Sequence, residues 1–272
     1  MRVRTAEFLM KLTVKSIYDK KKKKEKIVVL TAYDFLLARI LDEQGVDVVL
    51  VGDSVGMVLL GFESTVPVTV RDMLHHTKAV SRGIKHSLVV SDMPFGSYDT
   101  VERALRNAKR LIQEGGANAV KLEGGKKIQK QIKALIQNGI PVVGHLGMTP
   151  QTATLLGGYR VQGRDQKHAE AILKDALLLD QLGVFSLVLE CVPAKLAQKI
   201  TQKVKCPTIG IGAGPKTDGQ VLVTHDMLGF SSSVHPRFVR RYAALEAQIK
   251  HAVAHYRDDV LAGRFPSVKE SF

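Results

Sequence analysis

A chain of 272 residues, 45% hydrophobic and 24% charged, suits one large soluble α/β domain or two small ones. No stretch approaches the ~20 uninterrupted apolar residues of a membrane helix, and the N-terminal segment lacks the apolar core of a secretory signal. The net charge of +14 would suit a polyanion-binding module, but residues 20–26 supply +5 of it without interleaved aromatics, so that run reads as a solvated face and neither nucleic acid nor membrane is expected as a partner.

From residue 27 onward two patterns alternate. Short β-branched and aliphatic runs at 27–30, 47–51, 87–90, 117–122, 141–144, 184–189, 208–211 and 220–223 predict strands. Amphipathic stretches at 35–44, 70–82, 101–114, 126–137, 167–181 and 194–203 predict helices between them, and a last helix is expected over 237–262. Residues 1–26 are expected as a short helical extension carrying the lysine run, ahead of a single catalytic domain.

Strands that are apolar on both faces belong in a parallel sheet covered by helices. About eight of them in a chain of this length predict an α/β fold of one closed (β/α)8 (TIM-type) barrel. An open doubly wound sheet is the alternative, lowered because TAYDF follows the first strand where a glycine fingerprint would stand. Segment 145–164, HLGMTPQTATLLGGYRVQGR, breaks the rhythm; long and glycine-rich just past a strand, it reads as a functional loop able to cover a site. IGIGAGP at 209–215 lacks the spacing of a phosphate loop and reads as a tight turn, and His75 and His76 read as surface or packing residues. Cys191 and Cys206 form no metal-type motif and are expected as reduced thiols of a cytoplasmic protein.

The ionisable residues fall where the strands stop. Asp53 and Ser54 follow the second strand and Asp92 the third; Lys121 and Glu123 end the fourth, His145 the fifth and Glu190 the sixth. Parallel barrels and open α/β sheets both build active sites on that face. Lys121 and Glu123 are two residues apart, so their side chains share a face, and the inward face supplies the partners buried charges need. Taken singly, Asp53 and Asp92 read as helix caps and His145 as a structural histidine. Glu123 and Glu190 stand in apolar contexts with no helix to cap, which makes the set harder to explain than any member. Asp53, Asp92 and Glu123 are hard oxygen donors suited to magnesium, with positions left for water or substrate.

In order along residues 27–241 stand LTAYDFLLARILDEQGVDVVLVGDSVGM, DMPFGSY, AVKLEGG, GIPVVGHLGMTPQ, GGYRVQGR, LVLECVP and GIGAGPKTDGQVLVTHDMLG. Together they resemble the blocks of the ketopantoate hydroxymethyltransferase family. The resemblance implies a (β/α)8 barrel, Mg2+, and a homo-oligomer, typically a homodecamer. It implies transfer of a hydroxymethyl group from 5,10-methylenetetrahydrofolate to 3-methyl-2-oxobutanoate, giving 2-dehydropantoate for pantothenate and coenzyme A synthesis. Carried over by position, Asp53 and Asp92 resemble metal ligands, with Glu123 completing the metal site; Asp53, Ser54, Asp92 and Lys121 resemble substrate contacts, and His145 a pocket residue. Glu190 matches the proton acceptor. Lys24 stands where the family often has glycine, Met148 where leucine is common, and SSSVHPRFVRRYA is a looser match.

The expected chemistry is removal of the C3 proton of the 2-oxo acid by Glu190, with magnesium stabilising the enolate that attacks the one-carbon unit, and Lys121 neutralising substrate charge or holding the new hydroxyl. A magnesium-dependent lyase or mutase of pyruvate-like acids would share the acidic site without needing folate. A polyanion-binding module would leave the strand-end acids unexplained.

Overall fold

The computed structural model describes residues 10–153, 158, 160–230 and 236–272. Among them, eight parallel strands close into a barrel in chain order: β1 (Ile27–Thr31), β2 (Val48–Val51), β3 (Leu88–Asp92), β4 (Ala119–Glu123), β5 (Val142–Gly147), β6 (Ser186–Glu190), β7 (Thr208–Ile211) and β8 (Gly219–Leu222). β1 pairs with both β2 and β8, which closes the ring and excludes the open sheet. Each predicted strand is present. The consistent difference lies at the C-terminal ends: β3, β4, β5 and β6 run on through the polar residues, because backbone pairing outlasts the apolar pattern, as in Asp92 opposite Lys121 and Glu123 opposite His145.

Strand alternation sorts the barrel into two layers. Val29, Val48, Val90, Ala119, Val143, Val188, Ile209 and Val221 fill the inside. Val49, Val89, Val120, Val142, Leu187 and Leu189 belong to the outer core shared with Ala38, Met73, Leu111, Leu135, Leu179 and Ile200 of the surrounding helices.

Those helices follow α1 (Val14–Lys22) as α2 (Phe35–Glu43), the short α3 (Val55–Val58), α4 (Val70–Gly83), α5 (Val101–Gln113), α6 (Gln129–Gln137), α7 (Gln166–Leu182) and α8 (Ala194–Lys203). Asp34, Thr69, Thr100 and Asp165 cap α2, α4, α5 and α7 with side-chain oxygens on free amide N–H groups. Residues 212–218, all described, link β7 to β8 without a helix, and the glycine-rich stretch is the tight turn expected: Gly212 and Gly214 have φ of 62° and 77°.

The lysine run departs from a purely solvated face. Its first residues end α1, whose Ile17 is 1% exposed and joins the inner barrel cluster with Ile27, Leu88 and Phe185. Lys20 Nζ lies 2.6 Å from Asp47. Lys21 Nζ donates to the carbonyls of Thr201, Val204 and Cys206 and lies 3.0 Å from Asp218. These two cations fasten the helix at the end of the barrel where the strands begin, and Lys26 Nζ donates to the carbonyls of Pro215 and Thr217, while Lys22, Lys23 and Lys24 are exposed.

By internal contact the chain forms two compact units, Met1–Leu222 and Val223–Phe272. The second contains α9 (Thr224–Leu228) and α10 (Leu245–Leu261). The predicted last helix starts later than expected, since Arg237, Arg240 and Arg241 would set like charge on the positive end of a helix dipole. No helix among the described residues is long and apolar enough to cross a membrane. Both cysteines are free, Cys206 buried and Cys191 partly so.

Candidate active site

The inward set continues past the apolar layer into charge. Two residues beyond Val90 stands Asp92; beyond Ala119 come Lys121 and Glu123; beyond Val143 comes His145, and beyond Val188 comes Glu190. The parity that buries the apolar residues therefore aims the polar ones into the same mouth. Asp53 arrives from the turn after β2. Its backbone N–H donates to Asp92 Oδ2 at 3.0 Å, which fastens the chain leaving β2 to the carboxylate that ends β3.

Lys121 Nζ lies 2.9 Å from Asp92 Oδ1 and 3.9 Å from Glu123 Oε1. His145 sits between two acids, Nδ1 3.4 Å from Glu123 Oε1 and Nε2 3.1 Å from Glu190 Oε2. Its Nδ1 is also 3.5 Å from Lys121 Nζ. Ser54 is engaged differently, sharing a 2.8 Å hydrogen bond with the buried Tyr33 hydroxyl. The carbonyl of Tyr33 in turn contacts His76 Nδ1 at 2.7 Å, which gives that histidine a packing role. Of segment 145–164, residues 154–157 and 159 lie outside the described residues.

Burial and proximity set the charges. Asp53 has a carboxyl pKa well above the usual range, first because it is buried and then because Asp92 and Glu123 lie nearby. Burial also raises Asp92, against the opposing pull of Lys121. Burial pushes Glu123 the same way, but His145 and Lys121 outweigh it and hold Glu123 below its ordinary value. For His145, burial and the Lys121 charge favour the neutral ring, yet Glu123 and Glu190 carry it up to about 9. Lys121 is raised by Asp92, Glu123 and Asp53 in spite of its burial.

Cys191 follows Glu190 at a positive φ of 48°, a conformation uncommon for a side chain with Cβ. Its N–H donates to the Ile211 carbonyl, holding the turn just past Glu190. Burial and the Glu190 charge push its thiol up to about 11, so it is not a thiolate.

Four carboxylates against two cations leave the cluster with a formal excess of negative charge, which a divalent cation would offset. Asp92 Oδ1 and Glu123 Oε1 are buried and accept no aligned hydrogen bond, so each keeps coordination capacity beside its ion pair. Among the described residues no three His, Cys, Asp or Glu side chains form a ready-made metal cage. Magnesium does not demand one: it commonly takes one or two carboxylates and keeps its waters. The donor set fits such an ion.

Two residues of this site carry no signal in hydropathy or charge. Gln151, in the turn Pro150–Thr152, donates through Nε2 to Asp53 Oδ2 at 2.7 Å and through its backbone N–H to Glu123 Oε2 at 3.0 Å. Tyr98 donates to Gln151 Oε1 at 2.6 Å. Their place in the DMPFGSY and GMTPQ blocks, each just beyond a strand, was the available clue.

The sequence profile of the ketopantoate hydroxymethyltransferase family matches residues 11–268. The chain is similar to a 3-methyl-2-oxobutanoate hydroxymethyltransferase of Syntrophus aciditrophicus (strain SB), 55% identical over 263 residues that cover 96% of this chain and 97% of the relative. It is also similar to one of Thermoanaerobacter sp. (strain X514), 54% identical over 93% of this chain and 92% of the relative. In fold it is similar to a phosphonopyruvate hydrolase solved with oxalate and magnesium, with a TM-score of 0.65 and 11% identity over 95% of this chain and 93% of that one. A 2,3-dimethylmalate lyase of the PEP mutase/isocitrate lyase superfamily matches with a TM-score of 0.61 and 16% identity over 91% and 87%. At these identities the two structures establish the barrel alone.

Proposed function

The chain belongs to the ketopantoate hydroxymethyltransferase family, and on that premise we propose that it transfers a hydroxymethyl group from 5,10-methylenetetrahydrofolate to 3-methyl-2-oxobutanoate, giving 2-dehydropantoate for pantothenate and coenzyme A synthesis. The observation that carries the reading is the meeting of Asp53, Asp92, Lys121, Glu123, His145 and Glu190 at one barrel mouth. Asp53 and Asp92, with Glu123 directly or through water, would hold Mg2+. When bound, the ion supplies positive charge where the keto oxygen becomes enolate.

The remaining work falls to the chain's own groups. Glu190 takes the proton from C3, which leaves the carbon nucleophilic toward the methylene unit of the folate; water supplies the oxygen of the new hydroxyl, and tetrahydrofolate departs. Its Oε2 is held by His145, so Oε1 is the oxygen that accepts the proton. His145, kept cationic by its two acid neighbours, orients the Glu190 carboxyl from one side and, with Lys121, holds Glu123 below its ordinary value. Lys121 offers a fixed cation to the substrate carboxylate or the new hydroxyl, and the Ser54 hydroxyl, ordered by Tyr33, adds a donor beside Asp53. The proposal includes a cytoplasmic location, which keeps both thiols reduced, and assembly as a homodecamer, to be measured by light scattering.

The test is steady-state turnover of 3-methyl-2-oxobutanoate with and without methylenetetrahydrofolate, across a magnesium titration. Ketopantoate should form only when folate and metal are both present. Breakdown of the oxo acid without folate would replace the reading by a lyase or mutase, and no product with all components present would refute it.

A further inference from the structure

Gln151 is 4% exposed, and its side-chain amide and backbone N–H are committed at the barrel mouth. Besides Asp53 Oδ2, its Nε2 donates to the Met93 carbonyl at 2.9 Å; its Oε1 accepts from Tyr98, and its backbone N–H serves Glu123. The residue thus ties together the chain just past β2 and β3, through its side-chain amide, and the last residue of β4, through its backbone N–H. Its orientation is not free. A carbonyl and a carboxylate can only accept, so the NH2 end must face Met93 and Asp53, and the Tyr98 hydroxyl takes the other end.

The choice of glutamine follows from the charges around it. Glutamate would bring a further carboxylate against Asp53, which is already beside Asp92 and Glu123. Alanine would leave Asp53 Oδ2 buried without its donor. The amide commits Oδ2, leaves Oδ1 as the donor oxygen, and adds no charge.

We infer that Gln151 is a positioning residue for the divalent cation, fixing the Asp53 carboxylate through its side chain and the Glu123 carboxylate through its backbone in the orientation that receives the ion. The inference rests on reading Asp53 and Asp92 as metal ligands. Partners that orient metal ligands from behind typically carry ~10–100-fold in metal affinity.

Direct titration tests it without catalysis. Metal-free full-length wild type, D53N, Q151A and Y98F are titrated with Mn2+, followed by electron paramagnetic resonance, in the absence of substrates. Q151A should bind Mn2+ ~10–100-fold more weakly, and Y98F, which keeps the ring but releases one end of the amide, about threefold more weakly. The half-saturating magnesium concentration in turnover should rise by the same factors. A merely structural role would lower the melting temperature and leave metal affinity in place. Wild-type affinity in folded Q151A, with binding lost in D53N, overturns the role of Gln151 and spares the metal reading. No Mn2+ binding by wild type overturns both. If circular dichroism shows Q151A unfolded, Y98F decides, and an unchanged affinity there overturns the inference.

Discussion

Replacing His145 by glutamine should flatten the pH dependence of stability in the metal-free protein. The histidine is buried between Glu123 and Glu190, which raise its pKa from 6.5 to about 9. Because the folded value lies above the unfolded one, the stabilisation is complete below the ordinary pKa and disappears as pH rises through the folded value. At about 1.4 kcal/mol per tenfold change in proton affinity, the difference amounts to about 3 kcal/mol. For a chain of this length about 2 °C of Tm accompanies each kcal/mol, so the effect is about 6 °C. Thermal unfolding of wild type and H145Q in EDTA, from about pH 6 to about pH 9.5, reads it by difference, since groups outside the cluster cancel. EDTA matters because a cation among the same carboxylates would change their hold on the proton. Wild type should lose about 6 °C more than H145Q across that window. Parallel profiles would refute the buried imidazolium, and a steeper fall in H145Q would mean that the fold prefers the neutral ring.

Other perturbations separate chemistry from scaffold. Glu190→Gln should reduce exchange of the C3 proton of 3-methyl-2-oxobutanoate into deuterated water by ~100-fold or more, read by proton NMR; retained exchange removes Glu190 as the base. Gly147→Ala should lower both Tm and turnover, since φ is 99° and an added Cβ would strike the Glu190 carbonyl and the Val192 side chain. An alanine variant with wild-type kinetics would show that Glu190 tolerates displacement. Ile17→Ala should cost about 2–5 kcal/mol in stability, seen as a Tm lower by about 4–10 °C, with KM unchanged because the helix plugs the mouth opposite the acids. A raised KM at intact stability would contradict that separation.

Hydropathy was informative wherever a residue's neighbours are all of one kind. The barrel strands are apolar on both faces, so their runs were visible without any contact information, and the caps Asp34, Thr69, Thr100 and Asp165 mark helix starts with a local mechanism. Elements with mixed surroundings were harder to read. α1 buries one residue fully, Ile17, in a segment dominated by lysines, so its amphipathic signal is faint. The lysine run looked like a solvated face because its partners, Asp47, Asp218 and three carbonyls of a distant turn, are invisible locally. Gln151 and Tyr98 are neutral side chains on loops, with no period and no charge to expose them.

The chain alone determined the alternation of strand and helix, the barrel that alternation requires, and the placing of acids and bases where apolar runs end, because these follow from backbone periodicity and burial. Only closure of the barrel decided which of those groups meet. Asp53 and Gln151 are 98 residues apart, and Lys121 and His145 are 24 apart. Their contact comes from strand register and the curvature of a closed sheet, which no local pattern encodes. The same register sets His145 between two carboxylates, and that placement makes it a cation.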